Sequence, residues 1–376
     1  METLFAIGLG QGITLSILLF IKSSANRNAT WLIGVFILCI SAYLSAPLLN
    51  TLFGEPRGSF LIDPLILLLG PSFYGYILSL SGHLNYKRLM IHAIPFILYL
   101  PVLLYFYRIV QVDLHSPQSL QQVYSSTLAV ALGIFKFLHL LVYVGLSFHA
   151  LQKHQERVKT FFSDLRGKDL AWVKYMLYGF LSLSILSLLM YLFALQIPEK
   201  QKLLTTINLL FLMLFLLTIA IYAFRQKTVF DTSFDWLGDV ADGSAPNEKV
   251  EGLPKYEKSG LKSEEIERIN NQLDRFIHEK GFLDPEISLT TMAEQLGVAP
   301  HKLSEVLSKH RKTSFYDLIN YHRIEAVKSA LHDPAKRHLS VLGIAYDCGY
   351  NSKSTFNTAF KKFTGVSPSE FKSIKT

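Results

Sequence analysis

The sequence predicts an all-α protein: a seven-transmembrane-helix bundle followed by a cytoplasmic domain with two helix-turn-helix units. Three observations predict it. Residues 1–224 carry seven apolar stretches, each close to the ~20 residues needed to cross a bilayer. Beyond residue 225 the chain turns charged and polar. Two late stretches, about 288–310 and 340–364, meet the steric demands of a helix-turn-helix. The whole chain has 376 residues, half of them hydrophobic, and a net charge of +8.

The seven stretches are Thr3–Ile21, Trp31–Leu52, Phe60–Leu80, Leu89–Tyr107, Tyr124–Phe148, Val173–Gln196 and Leu203–Phe224. Seven in succession, joined by short polar loops, do not fit a soluble helical core. The first lacks the basic start and small-residue cleavage site of a signal peptide, so it reads as a retained span. Lys and Arg then orient the bundle, because cytoplasmic loops are richer in them. One side holds 12: Lys22, Arg27, Lys87, Arg88, Lys153, Arg157, Lys159, Arg166, Lys168, Lys174, Arg225 and Lys227. The other holds 4: Arg57, Arg108, Lys200 and Lys202. The expected N-terminus is therefore outside and the C-terminal half cytoplasmic. Cys39 and Cys348 fall in different parts, which argues against a disulfide between them, and two cysteines alone build no metal site.

The expected organisation is a membrane domain over 1–226, a linker over 227–260 and a soluble domain over 261–376. The linker composition, rich in Asp, Gly, Ser, Pro, Glu and Lys, predicts a flexible segment. Some 30 such residues transmit rigid motion poorly. Control by dimerisation, by release of a masked domain or by proteolysis is therefore expected.

Ser263–Lys280 is predicted as an amphipathic helix, with Ile266, Ile269, Leu273, Phe276 and Ile277 on one face. Ser263 is its expected cap and Gly281 its end. In the first unit, SLTTMAEQLGVAPHKLSEVLSKH, Ala293 is the small residue where two helices cross. Gly297 takes the turn, which needs positive φ. Met292, Leu296, Val298, Leu303 and Val306 plug the angle, and Pro300 opens the second helix. The second unit repeats this with Ser340 as N-cap, Leu342, Ile344, Ala345 and Cys348 in the first helix, and Gly349 at the turn. Phe356, Ala359, Phe360 and Phe363 form its buried face. Phe356 lies seven residues after Gly349, whereas Leu303 lies six after Gly297, so the second turn is one residue longer. Phe315–His332 reads as one helix between the units, with Leu318, Ile319, Ile324, Val327 and Leu331 aligned and Pro334 beyond it.

Two such units present two helices to successive major-groove segments of double-stranded DNA, about 34 Å apart. From Pro300 to Thr376 there are 13 Lys or Arg against 6 Asp or Glu. Arg311, Lys312, Lys361 and Lys362 are the expected phosphate contacts. His301, Lys302, Ser304 and Glu305, with Lys353, Ser354, Asn357 and Thr358, are the expected base contacts.

These residues carry a resemblance. Ile287–Ile374 resembles the DNA-binding domain of AraC/XylS-type transcriptional regulators, through LGVAPHKLSEVL, YHRIEAVKSAL and IAYDCGYNSKSTFNTAFKKFTGVSPSEF. The resemblance implies a two-unit domain that acts at promoters, usually as an activator in contact with RNA polymerase. The chain departs from the pattern at three points. Ala299 stands where a capping Ser or Asp is common. Glu305 stands where a basic or polar residue often reads bases. Seven spans stand where relatives carry a soluble sensor. The layout is similar to membrane-bound AraC-type regulators of Bacteroidetes-like bacteria, which implies a place in the bacterial inner membrane.

Within the spans, Lys136 and His139 share a helix face and are the candidate site for a polar or anionic signal ligand or a proton switch. A snorkelling Lys or a polar bundle interior explains them equally well. His92 and Asn208 read as structural, Asp63 and Arg108 as anchors at the outer interface, and His149 and His154 as solvated. Tyr74, Tyr76, Tyr105, Tyr107 and Tyr143 fit interfacial or packing roles. No HExxH, P-loop, GxSxG or kinase signature appears, so no enzyme, cofactor or metal is expected. Expected partners are promoter DNA, RNA polymerase, the lipid bilayer, an unknown signal ligand and a second copy of the chain. A competing reading is a transporter or channel with a regulatory helix-turn-helix domain; a third is a scaffold whose helix-turn-helix binds only protein.

Overall fold

The computed structural model describes residues 2–22, 26–53, 62–109, 126–165, 168, 170–225, 261–336 and 338–374. The expected linker 227–260 lies outside them, as do Arg57, Arg166 and Lys227 of the orientation count. The described residues are helical, with no β-strand among them and one isolated bridge between Phe162 and Ser288. They fall into two compact units. One holds residues 1–153 and 170–235, the other residues 154–169 and 236–376.

The first unit contains α1 (Glu2–Ile21), α2 (Arg27–Leu44), α3 (Ala46–Phe53), α4 (Ile66–Leu80), α5 (Tyr86–Ile91), α6 (Ile94–Ile109), most of α7 (Thr127–Phe161), α8 (Ala171–Gln196) and α9 (Gln201–Arg225). Among the described residues, seven stretches are long and apolar enough to cross a membrane. They follow the expected spans with shifted ends. The second expected span breaks at Ser45, between α2 and α3. The third starts with a 3₁₀ turn, Asp63–Leu65. The fourth breaks between α5 and α6. The fifth runs on as helix to Phe161, well past Phe148.

Helix α2 is the hub of this unit and packs against α1, α4 and α9. It offers Ile33, Phe36, Ile37 and Ile40, all buried. Phe36 lies 5.0 Å from Phe73 and 5.6 Å from Phe180, ring centre to ring centre. Asn26 locks the α2 start to the α4 end. Its Oδ1 caps the Ala29 N–H at 3.0 Å and accepts from Ser79 Oγ at 2.8 Å, while its Nδ2 donates to Ser79 O at 2.7 Å. Small residues let helix backbones approach where hydrophobic driving force is weak. At Gly12 a Cβ would sit 1.8 Å from Ser41 Oγ and 2.6 Å from Ser41 Cβ, so α1 and α2 close only around a bare Cα. Asn208 Nδ2 donates to Ser187 Oγ at 2.6 Å and joins α9 to α8.

The second unit contains the end of α7 and then α10 (Ser263–His278), α11 (Leu289–Gln295), α12 (Pro300–Glu305), α13 (Phe315–His332), α14 (Val341–Asp347), α15 (Lys353–Thr364) and α16 (Pro368–Ile374). The amphipathic α10 forms as expected, with different ends. Lys262 is the N-cap position and makes no side-chain cap, so Ser263 is the first helical residue rather than the cap. Lys280, not Gly281, takes the left-handed conformation after the helix. Gly281 serves the packing instead: a Cβ there would meet the Phe276 ring at 2.3 Å.

Gly12→Leu should lower the stability of the detergent-solubilised protein by about 1–3 kcal/mol through overpacking. Thermal melting against Gly10→Leu checks it, since a Cβ at Gly10 meets nothing within 4 Å.

Candidate nucleic-acid interface

Both helix-turn-helix corners are built from one capping motif. A helix that ends on a left-handed glycine can return two hydrogen bonds to its last turn. In the first unit the Gly297 N–H donates to Glu294 O at 3.1 Å and the Val298 N–H to Ala293 O at 3.0 Å. In the second the Gly349 N–H donates to Tyr346 O at 3.1 Å and the Tyr350 N–H to Ala345 O at 3.1 Å. The spacing Ala-x-x-x-Gly is this geometry written in sequence. Gly297 has φ +62° and Gly349 φ +88°. Ala293 and Ala345 are fully buried at the crossings, with Leu303, Phe356 and Phe360 packed in the same interiors.

The glycines are not equivalent. A Cβ on Gly297 would enter open space, whereas one on Gly349 would lie 2.6 Å from Leu283 O and 2.9 Å from Arg323 Nε. Arg323 is the buried residue that sequence reasoning missed. It is 1% exposed, and its Nε donates to Phe282 O at 2.7 Å and its Nη2 to Asp284 O at 2.6 Å. Its guanidinium also lies over the Tyr350 ring. Its place in YHRIEAVKSAL beside Ile324, on the buried side of α13, was the available signal.

The two candidate recognition helices differ. Helix α12 begins at Pro300 after Ala299, which makes no side-chain cap, and its last turn is a π turn over Val306–His310. Helix α15 has Ser352 as N-cap, accepting from the Thr355 N–H at 3.0 Å, and Gly365 as its left-handed end. The second turn is one residue longer, as expected: α15 starts four residues after its glycine, α12 three after its own.

The expected contacts are placed unequally. Lys353, Ser354, Asn357 and Thr358 are all exposed along α15. On α12 the corresponding residues are half-buried or engaged. Lys302 pairs with Glu265 at 2.7 Å. The Glu305 side chain is 14% exposed and pairs with Lys309 at 2.9 Å. Ser304 lines a depression of about 360 Å³ with Lys312, Ser314 and others. His301 is half-buried, and burial first, then the nearby Lys302, pushes its imidazole below the usual histidine range. It is therefore a neutral group at neutral pH, one nitrogen donating and one accepting.

The phosphate candidates split as well. Arg311 is committed inside the domain, to Asn270 Oδ1 at 2.7 Å, Asn270 O at 3.2 Å and Asp274 at 2.7 Å. It clamps α10 onto the first unit. Lys362 pairs with Asp317 and lies near the Tyr316 and Phe363 rings. Lys312 and Lys361 are exposed, and neither pairs with a carboxylate at salt-bridge distance among the described residues.

In the apolar unit, Lys136 and His139 face different neighbours. Lys136 Nζ pairs with Asp63 Oδ1 at 2.7 Å, and Tyr99 OH donates to Asp63 Oδ2 at 2.6 Å. Asp63, expected as an anchor at the outer interface, is thus the ion-pair partner of Lys136. The Arg108 side chain lies outside the described residues. His139 packs 4.8 Å from the Tyr143 ring, whose OH is 2.7 Å from His92 Nδ1. His154, expected in solvent, is 1% exposed, with Nε2 2.7 Å from Lys168 O.

Two corners of this build, one carrying an exposed polar helix face, define a double helix-turn-helix domain of the DNA-binding class. Residues 292–374 match the family model of the helix-turn-helix domain, and this C-terminal domain is of the AraC/XylS type. Over 153 residues the chain is 24% identical to the XylDLEGF operon transcriptional activator of Pseudomonas putida, covering 37% of this chain and 48% of that one. It is 26% identical over 153 residues to the uncharacterised HTH-type transcriptional regulator YtdP of Bacillus subtilis, covering 40% of this chain and 18% of the relative. It is 30% identical over 86 residues to the HTH-type transcriptional regulator GlxA of Rhizobium meliloti, covering 23% and 26%. The chain thus spans less than half the length of the curated relatives it matches. No solved structure matches it.

Gly297→Ala should cost about 1–2 kcal/mol, the left-handed penalty alone. Gly349→Ala should cost about 1–3 kcal/mol more, because the methyl also meets backbone and Arg323. Amide hydrogen exchange across α13–α15 in the full chain separates the two.

Asp63→Asn should destabilise the apolar unit by about 1.5–3 kcal/mol by leaving Lys136 without its charged partner. Adding Lys136→Met should recover most of that loss, and melting of the single and double variants in detergent measures the coupling.

Proposed function

We propose that the chain is a membrane-held transcriptional regulator that binds promoter DNA sequence-specifically through its two helix-turn-helix units. The seven-helix part is its signal sensor. The observation that carries the reading is the exposed polar face of α15, Lys353, Ser354, Asn357 and Thr358, on a capped helix with its apolar side buried. Such a face offers donors and acceptors to base edges. The seven apolar helices support a membrane part, and the excess of Lys and Arg on one set of loops supports a cytoplasmic DNA-binding domain. The relatives named as operon activator and transcriptional regulators support the same role.

The partners that follow are double-stranded promoter DNA, RNA polymerase, the lipids of a bacterial inner membrane, a signal ligand and a second copy of the chain. Of the two units, the second is the main reader of sequence. In the first, Lys302 and Glu305 are in ion pairs, and Arg311 and Lys362 pair with Asp274 and Asp317. Lys312 and Lys361 are the phosphate contacts.

Genome-wide crosslinking of the tagged full-length protein to DNA tests this. Discrete peaks that vanish in a Phe356→Asp, Lys361→Ala control are expected; a profile identical to the control rejects the reading. On a recovered site, Asn357→Ala should cost about 1–3 kcal/mol and relax preference at one base position. Lys361→Ala should weaken all sequences alike and reduce the salt slope by about one.

A further inference from the structure

The connection between α7 and α8 belongs to the same compact unit as the DNA-binding domain. Three consecutive residues of it engage that domain. Phe162 pairs with Ser288 in an antiparallel bridge. Ser163 is 1% exposed; its Oγ donates to Ile287 O at 3.2 Å, and its carbonyl accepts from Asn320 Nδ2 at 3.1 Å. Asp164 Oδ1 accepts from Thr355 Oγ1 at 2.7 Å.

These contacts reach three separate parts of the domain. Ser288 is the N-cap of the first helix-turn-helix unit. Asn320, fully buried, is on the connecting helix α13. Thr355 is in the first turn of α15. Residues 162–164 therefore span the junction between the two units. They leave Lys353, Ser354, Asn357 and Thr358 exposed, so the contact reaches the first turn of α15 without covering its base-reading face.

We propose that residues 162–164 are the control contact of the DNA-binding domain: docked, they hold Asp164 against the second recognition helix and weaken its grip on DNA, and displacement of the connection releases it. This rests on the regulator reading above. The sign follows from charge. The first turn of a recognition helix lies near DNA phosphate, and a carboxylate hydrogen-bonded there repels it. The coupling follows from connectivity. Residues 162–170 join α7 directly to α8, so a shift of either helix pulls on the docked residues. The covalent route to the domain runs separately, through residues 226–260. A ligand-driven shift that displaces the connection must break this bridge and these side-chain hydrogen bonds, and it does so only if the signal binds the two states differently.

The test uses the full-length chain in phosphatidylethanolamine–phosphatidylglycerol nanodiscs and the DNA fragment recovered most strongly by crosslinking. Phe162→Cys with Ser288→Cys should form an intramolecular disulfide, because directly opposed residues of an antiparallel bridge have Cα atoms about 4.5–5.5 Å apart. The oxidised form should bind the fragment about fivefold more weakly than the reduced form. Asp164→Asn, which keeps the shape and removes the charge, should bind about fivefold more tightly than wild type, with the gain shrinking as salt rises. Failure of the disulfide to form, equal affinity of oxidised and reduced forms, or no gain from Asp164→Asn would each overturn the proposal while specific binding by wild type left the regulator reading standing. A wild type without specific binding rejects both, and the disulfide yield then still reports whether the contact exists.

Discussion

The DNA-binding domain is organised around one buried guanidinium. Arg323 enters from α13, and its two hydrogen bonds end on backbone carbonyls of Phe282 and Asp284, in the turn after α10. Its flat face covers Tyr350, and the corner of the second unit closes against it at Gly349. A buried charge is costly unless its donors are satisfied. Here the satisfaction comes from chain segments about 40 positions away, so the charge is tolerated only when α10, α13 and the second corner are all in place. That interdependence makes one cooperative body from two corners that each resemble an independent motif. It also explains why Gly349 has less freedom than Gly297: its missing side chain leaves space for the guanidinium as well as permitting the turn.

Much of this was legible in sequence because it is local. Capping motifs act over five or six residues, so Ala293 with Gly297, and Ala345 with Gly349, announced both corners. Ser340 and Pro300 announced helix starts, and the apolar period over Phe315–His332 gave α13 to the residue. The ends of α10 were misread for a related reason. Ser263 and Gly281 have the right chemistry for cap and stop, yet Lys262 and Lys280 hold those positions, because tertiary packing of Phe276 fixed where Gly281 was needed. Span boundaries moved where a helix broke at Ser45 or continued into polar sequence after Phe148. Hydropathy registers the apolar core of a helix and is silent on its polar extension.

What sequence did not reveal is how each charge is used. A Lys or Arg in a basic stretch reads as a DNA contact, but Arg311 ties α10 to the first unit, Lys302 reaches Glu265, and Lys362 reaches Asp317. Those partners lie 37 to 45 positions away, beyond any local pattern. The same holds in the apolar unit, where Lys136 and Asp63 are 73 positions apart. Net charge sets the long-range field that draws a domain to nucleic acid. Which cations then touch phosphate depends on which remain without an internal carboxylate.

This inventory makes the two recognition helices unequal in kind. Helix α15 is capped at both ends, by Ser352 and by Gly365, and its buried face is aromatic. A helix fixed at its first turn presents its polar residues in one arrangement and loses little freedom on binding. Helix α12 begins on an uncapped Ala299 and gives way to a π turn by Val306. Its Lys302 and Glu305 are held by ion pairs to α10 and to its own next turn. A preformed second helix with a free polar face, beside a first helix whose charges are held by internal pairs, is the asymmetry this distribution of caps and charges creates.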